Sequence, residues 1–189
     1  MTLSGMMKLA LRQLDELPED ISEYDELFRS YANMGYMIAA RLFYRPRETF
    51  TLRTGEKGCA DLCALPIERV IEARDGAGSG IYFELSADGQ TIRTPVRGGE
   101  ISLLCEVRVP PMTADSDEPR LPKYVHPALA DYICYRHLSS GSLAKQRRAE
   151  FFYQSFYQQM RALRPQGAGS VTRQKNLYSA TEVSAYGKE

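Results

Sequence analysis

The chain of 189 residues has no tryptophan, only two histidines, four cysteines and no net charge. No apolar run approaches the roughly 20 residues that a membrane-spanning helix needs, so the sequence predicts no transmembrane segment. Residues 1–10 lack the apolar stretch and small-residue cleavage site of a secretory signal, which favours reduced, cytosolic thiols. A net charge of zero gives no argument for nucleic acid or a membrane as a partner.

Signatures of catalysis and metal binding are also missing. Cys59 and Cys63 are separated by three residues, but no second pair of ligands with regular spacing completes a tetrahedral zinc site. His126 and His137 accompany no nucleophile motif, and the glycines of residues 76–80 are not followed by the lysine of a phosphate loop. We therefore expect no catalytic residue, no metal site and no cofactor, and we interpret the two cysteines as core residues.

The charges that are present are unevenly distributed. Residues 1–30 contain seven acidic and three basic side chains, whereas residues 136–175 contain eight basic side chains and one acidic one. Oppositely charged regions of this kind suit contacts within or between subunits. For any single charge, a solvated position on a helix surface is the simpler interpretation.

The hydrophobic pattern changes period twice along the chain and predicts an α+β fold. Apolar residues follow helical spacing over 22–44, alternate as short antiparallel strands over 48–109, and return to helical spacing over 125–164 with a break at Gly141. The strands suit a small barrel or sandwich inserted into a helical bundle, in which a long N-terminal helix packs against a C-terminal helical hairpin. The predicted divisions are a helical core (1–46 and 125–164), a β domain (47–111), a connecting loop (112–124) and an extended C-terminal arm (165–189).

Tyrosines on the predicted helices exceed what one buried stripe requires. Tyr153 and Tyr157 lie on helix 142–164, and aromatic residues with an outward component are enriched at protein interfaces. The basic cluster of residues 145–148 suits an acidic neighbour or phosphates, although a solvated face is the common case. The segment 165–189 has little to bury and would order on a partner, unless it is a frayed terminus.

The chain resembles the head-tail adaptor (connector, or neck) proteins of tailed bacteriophages. The likeness covers roughly residues 6–164 and consists of spacing and residue class. It rests on these segments: 22–27 leading into a long helix that contains Asn33, the extended segment 49–52, Leu65-Pro66 before a strand, an apolar strand ending at Val109-Pro110-Pro111, the segment 121–132, and the helical segment 148–156.

The resemblance implies a structural virion protein that is not an enzyme. Such a protein forms a ring, usually twelvefold, with neighbouring copies of itself beneath the portal protein. The ring extends the channel for packaged DNA and docks the next neck or tail protein, without contact with a membrane. The expected location is the neck of the virion, after assembly in the host cytoplasm.

The resemblance also points to helix 142–164 and the arm as the part that binds the portal or another partner. The residues expected there are Lys145, Arg147, Arg148, Tyr153, Tyr157, Arg161, Arg164, Arg173, Lys175, Leu177, Tyr178 and Tyr186. Two alternatives stay open. One is a neck protein that also hydrolyses peptidoglycan, and the other is a nucleic-acid-binding module that uses Arg147 and Arg148.

Overall fold

A computed structural model describes residues 1–16 and 21–163. Within these residues the chain is a mixed α/β protein with four α-helices and two antiparallel sheets, as the hydrophobic pattern predicts in outline. The α-helices are α1 (Leu3–Gln13), α2 (Ile21–Ile38), α3 (His126–Leu138) and α4 (Leu143–Arg161). A π-helix (Ala39–Tyr44) continues α2, and a short 3₁₀ helix (Lys123–Val125) precedes α3.

Seven strands lie between α2 and α3 in the sequence. One sheet has the order β1-β7-β3-β4 and the other has the order β2-β6-β5. Within residues 21–163, neither sheet closes into a barrel, so the barrel alternative is wrong. The strands are β1 (Arg47–Arg53), β2 (Cys59–Asp61), β3 (Ile67–Asp75), β4 (Gly80–Ile81), β5 (Glu84–Leu85), β6 (Thr91–Arg93) and β7 (Glu100–Val107).

The two sheets share one hydrophobic cluster. Strand β7 alternates buried and partly exposed residues, so that Ile101, Leu103 and Cys105 enter the cluster. Ala60 and Ile92 from the smaller sheet pack into the same cluster. The sheet edges stay open because the outer strands β4 and β5 have only two residues each, which is too few to pair around a barrel.

The helices bury a second hydrophobic cluster, and α3 lies at its centre. Its sequence is apolar on nearly every side, with nine buried residues among thirteen, because α1, α2 and α4 all pack against it. Leu129 and Ile133 of α3 are fully buried, as are Phe28 of α2 and Phe156 of α4. The predicted division into a helical core and an inserted β domain stays a prediction, as do its boundaries.

The predicted long helix over 22–44 is not α-helical to its end. The last six residues form the π-helix, and Arg45 then adopts a left-handed conformation with φ 49°. The Arg45 N–H donates to the Ala40 carbonyl at 2.7 Å, five residues back, which is the π-type bond. Pro46 follows, so the helix cannot continue. This arrangement directs the chain from α2 into β1.

The predicted connecting loop 112–124 is held against α2 by side chains one turn apart. Arg29 donates to the Thr113 carbonyl at 2.7 Å, and Asn33 forms two hydrogen bonds with the backbone of Met112. The Tyr36 hydroxyl, which is buried, accepts from the Arg120 N–H at 3.0 Å. The segment that connects the sheets to α3 is therefore held against the surface of α2.

Candidate functional site

The outward surface of α4 is the candidate interaction site. The helix begins after Ser142, which occupies the N-cap position with extended backbone angles but no side-chain capping bond. Phe152, Phe156 and Met160 recur at four-residue spacing and are buried against the other helices. The exposed residues of α4, among them Leu143, Phe151 and Arg161, lie on the rest of its surface.

The outward surface combines exposed apolar side chains with exposed cations. Phe151 is 71% exposed and Leu143 is 67% exposed. Arg147 lies one turn before Phe151, and Arg161 lies at the end of the same helix, both exposed. Lys145 is exposed as well, with its side chain lying over Gly141.

Sequence reasoning missed Phe151, although a signal for it exists. Adjacent residues on an α-helix point about 100° apart. The buried series through Phe152, Phe156 and Met160 therefore places Phe151 at the edge of the buried stripe or outside it. Phe151 and Phe152 are both apolar and each suits a core position, so the sequence alone does not show which of the two is buried.

Arg148 is already bound within the chain. Its guanidinium donates to the Gln13 carbonyl at 2.6 Å and to Oδ2 of Asp15 at 2.9 Å. Asp15 itself adopts a left-handed conformation with φ 66°, directly after the end of α1. Arg148 therefore connects α4 to the end of α1. Its predicted role in partner binding stays a prediction, and its neighbour Arg147 is the more available cation.

Tyr153 and Tyr157 belong to a row of aromatic rings that joins α3, α4 and the π-helix. The rings of Tyr135 and Tyr153 lie 4.9 Å apart, those of Tyr153 and Tyr157 lie 6.2 Å apart, and Phe43 meets Tyr157 edge-on at 5.7 Å. Tyr153 is 36% exposed and Tyr157 is 40% exposed. The two tyrosines thus stabilise the helix packing and also present one side to solvent.

Six of the predicted partner-binding residues lie outside the residues that the structure describes. They are Arg164, Arg173, Lys175, Leu177, Tyr178 and Tyr186, together with the rest of the predicted arm 165–189.

A second exposed surface lies on α2. Glu23 and Glu26 are exposed near its start, Leu27 is 43% exposed, and Met37 is 53% exposed near its end. Beside Met37, an open groove of about 300 Å³ runs between the π-helix and the strands. Its walls include Val107 and Val109, and an ion pair between Arg41 and Glu68 crosses it.

A buried carboxylate of α3 connects polar side chains of three helices. Asp131 of α3 is buried and accepts hydrogen bonds from Gln13 at 2.8 Å, from Ser155 at 2.7 Å and from Gln159 at 3.0 Å. These donors come from α1 and α4, so the carboxylate connects three helices. Burial raises the pKa of the neighbouring Cys134 thiol to about 12, which keeps it unreactive.

The histidines and the first two cysteines occupy structural or exposed positions. His126 is buried and bonded to the Leu121 carbonyl at 2.9 Å, and His137 packs edge-on against Phe28. Cys63 is exposed and Cys59 is partly exposed, so the interpretation of this pair as core residues is wrong for Cys63. The covered residues contain no group of three or more histidine, cysteine and carboxylate side chains suited to a metal ion.

Comparisons with known proteins add no relative: no family model and no curated protein matches the chain. None of the helices in the ranges 1–16 and 21–163 is long and apolar enough to cross a membrane.

Proposed function

We propose that the protein is a head-tail adaptor of a tailed bacteriophage, a structural component of the neck that assembles as a ring, usually of twelve copies, beneath the portal protein. The observation that carries the proposal is the surface of α4. Two large apolar side chains, Leu143 and Phe151, are largely exposed on a helix that is otherwise well packed, and cations flank them. Exposed apolar groups surrounded by polar ones are typical of protein interaction sites.

The proposal assigns different parts of the chain to different partners. The helices form the body of the ring with neighbouring copies, and the C-terminal arm 165–189 reaches the portal protein. The sheets face a neighbouring copy or the next neck or tail protein. The ring extends the channel through which packaged DNA passes, in a virion that is assembled in the host cytoplasm. The mixed α/β architecture and the sequence resemblance both support this assignment.

The decisive measurement is the amount of this chain in finished particles. Purified particles from the source would be digested, and the chain quantified against the portal protein by mass spectrometry with labelled standard peptides. A ratio near one to one supports a neck ring. Absence of the chain from particles that contain the portal protein would refute the proposal.

A truncation tests the role of the arm. A chain that ends after Arg164 should retain the circular dichroism spectrum and the thermal midpoint of the full chain, because it keeps both hydrophobic clusters. It should lose binding to the purified portal protein. Portal binding that equals that of the full chain would contradict the arm as the docking segment.

A further inference from the structure

Two exposed helix faces differ in charge and share a spacing pattern. The first, called here the α4 face, consists of Leu143, Arg147, Phe151 and Arg161. The second, called the α2 face, consists of Glu23, Glu26, Leu27 and Met37. Every one of these side chains is exposed.

The charges of both faces are available for a partner. Among the residues that the structure covers, Arg147 and Arg161 form no hydrogen bond or ion pair with one another or with any other residue. The same holds for Glu23 and Glu26. The neighbouring charges behave differently: Arg148 is bound to Asp15, and Asp25 lies 3.2 Å from Arg29. The chain has thus satisfied the adjacent charges internally and left these four in solvent.

Within one molecule the two faces do not cover each other, because every side chain of both is exposed. Helix α3 packs against both α2 and α4, and α4 approaches the π-helix, where Tyr157 meets Phe43. Two copies can bring the faces into contact, when the basic face of one meets the acidic face of the next. Contact between two unlike faces is head-to-tail, and it yields a ring when the rotation between copies closes.

Three of the four positions on each face have the same spacing. Arg147 precedes Phe151 by four residues, as Glu23 precedes Leu27. Both steps are about 6 Å along a helix. Arg161 follows Phe151 by ten residues, as Met37 follows Leu27. In parallel packing, Arg147 would lie beside Glu23 and Phe151 against Leu27. The apolar stem of Arg161 would then cover Met37.

We infer that the α4 face binds the α2 face of a second copy of this chain, with Phe151 at the centre of the contact and Arg147 paired with Glu23. The inference rests on the proposed function, since it names the partner that the α4 surface takes in the ring and leaves portal binding to the arm. The contact is a heterologous protein–protein interface with an aromatic anchor and a charged border.

Two variants that each block one face test the inference. The first carries Arg147→Gln and Phe151→Ser, and the second carries Glu23→Gln and Leu27→Ser. Sedimentation velocity of the full-length chain should show concentration-dependent association of the wild type, and each variant alone should associate at least tenfold more weakly. An equimolar mixture of the two variants should form a discrete one-to-one dimer, because each supplies the face that the other lacks.

Controls separate this contact from misfolding and from other partners. Glu56→Arg, a charge reversal at an exposed turn among the strands, should associate like the wild type. All variants should keep the wild-type thermal midpoint. A photo-crosslinking amino acid at position 151 should attach to α2 of another copy. Attachment to residues 165–189 of the same chain would identify the arm as the occupant and overturn the inference.

Failure of the inference is distinguishable from failure of the proposed function. A wild-type chain that stays monomeric at about 1 mM, or blocked variants that assemble as the wild type does, would overturn the inference while leaving the particle measurement unaffected. Head-to-tail assembly of a chain that is absent from finished particles would overturn the neck function and retain the interface.

Discussion

The side-chain amide of Asn33 forms two hydrogen bonds with the backbone of one residue, Met112, which is 79 positions away in the sequence. Its Oδ1 accepts from the Met112 N–H at 2.7 Å, and its Nδ2 donates to the Met112 carbonyl at 2.9 Å. Met112 is buried in the helical cluster. Asn33 therefore satisfies both backbone groups of a loop residue that has no strand or helix to pair with.

Replacing this amide should destabilise the fold. Asn33→Ala leaves a buried N–H and a buried carbonyl without partners, and we expect the free energy of unfolding to fall by about 1–3 kcal/mol. Ser30→Ala, at an exposed position one turn earlier, is the matched control and should change little. Urea denaturation followed by circular dichroism measures both. Equal stability of the two variants would contradict the role assigned to Asn33.

Gly35 marks the closest approach of α2 and α3. A Cβ at this position would lie 2.8 Å from Cδ1 of the Tyr132 ring, which itself packs against Phe156 with ring centres 4.9 Å apart. Gly35→Ala gains about 1 kcal/mol of helix propensity. The overlap with a ring that cannot move freely costs about 1–3 kcal/mol or more, so we expect a net loss of stability.

Thermal denaturation distinguishes this clash from a general effect of alanine. Gly80→Ala is the control, because no atom lies within 4 Å of its added Cβ and its backbone is not in the left-handed region. It should leave the midpoint nearly unchanged. A midpoint that rises in Gly35→Ala would show that the helices separate without cost, contrary to the packing described here.

The sequence allows the local elements to be predicted better than their contacts. Alternation identifies β7, since Ile101, Leu103 and Cys105 share the buried side of the strand. The helical spacing of Phe152 and Phe156 likewise locates α4. Both patterns involve residues that are close together in the sequence, so they can be recognised without the structure. The predicted strand to Val109 is two residues too long, because Arg108 instead donates to the Pro66 carbonyl outside the ladder.

Contacts between distant segments explain what the sequence could not show. The pairing of Arg148 with Asp15 joins residues 133 positions apart. The sequence does not show this pairing, so it could not distinguish Arg148 from the other cations of the basic cluster as a residue for binding a partner. The change from α- to π-helix at Ala39 has no pattern of its own in the apolar spacing. The assignment of a binding site to α4 stays a prediction, and the exposed position of Phe151 required the packing of α4 to be known.

His137 should make stability depend on pH above the range in which carboxylates titrate. Burial lowers the pKa of His137 below its ordinary value of 6.5; the positive charge of Lys145 acts in the same direction and Glu16 opposes it. The unfolded chain therefore binds the proton at a higher pH than the folded chain does. Stability is complete above the unfolded pKa and falls as the pH decreases from about 6.5 towards the folded value.

The free energy of unfolding should be measured by urea denaturation between pH 8 and pH 6. His137→Gln removes the titrating group while keeping a polar side chain, and its stability should vary less over this interval than that of the wild type. A stability of the wild type that rises as the pH falls through this interval would require a raised pKa in the folded state and would contradict the burial of His137 against Phe28.

Two adjacent arginines should have separate effects, because one is bound within the chain and the other faces solvent. Arg148→Ala removes the hydrogen bond to the Gln13 carbonyl and the ion pair with Asp15. Since its guanidinium is partly exposed, we expect a loss of about 1 kcal/mol in the free energy of unfolding. Arg147→Ala should change this quantity by less than about 0.5 kcal/mol.

Self-association should be weakened by Arg147→Ala and not by Arg148→Ala, the reverse of their effects on stability. Arg147→Ala removes the cation beside Phe151 and should weaken association in sedimentation velocity, whereas Arg148→Ala should associate like the wild type at temperatures where it is folded. The pair is closely matched, since both changes delete the same side chain on the same turn of α4. Weakened association in Arg148→Ala with unchanged stability would instead place Asp15 and Arg148 in the interface, and would remove the basis for assigning Arg148 to the end of α1.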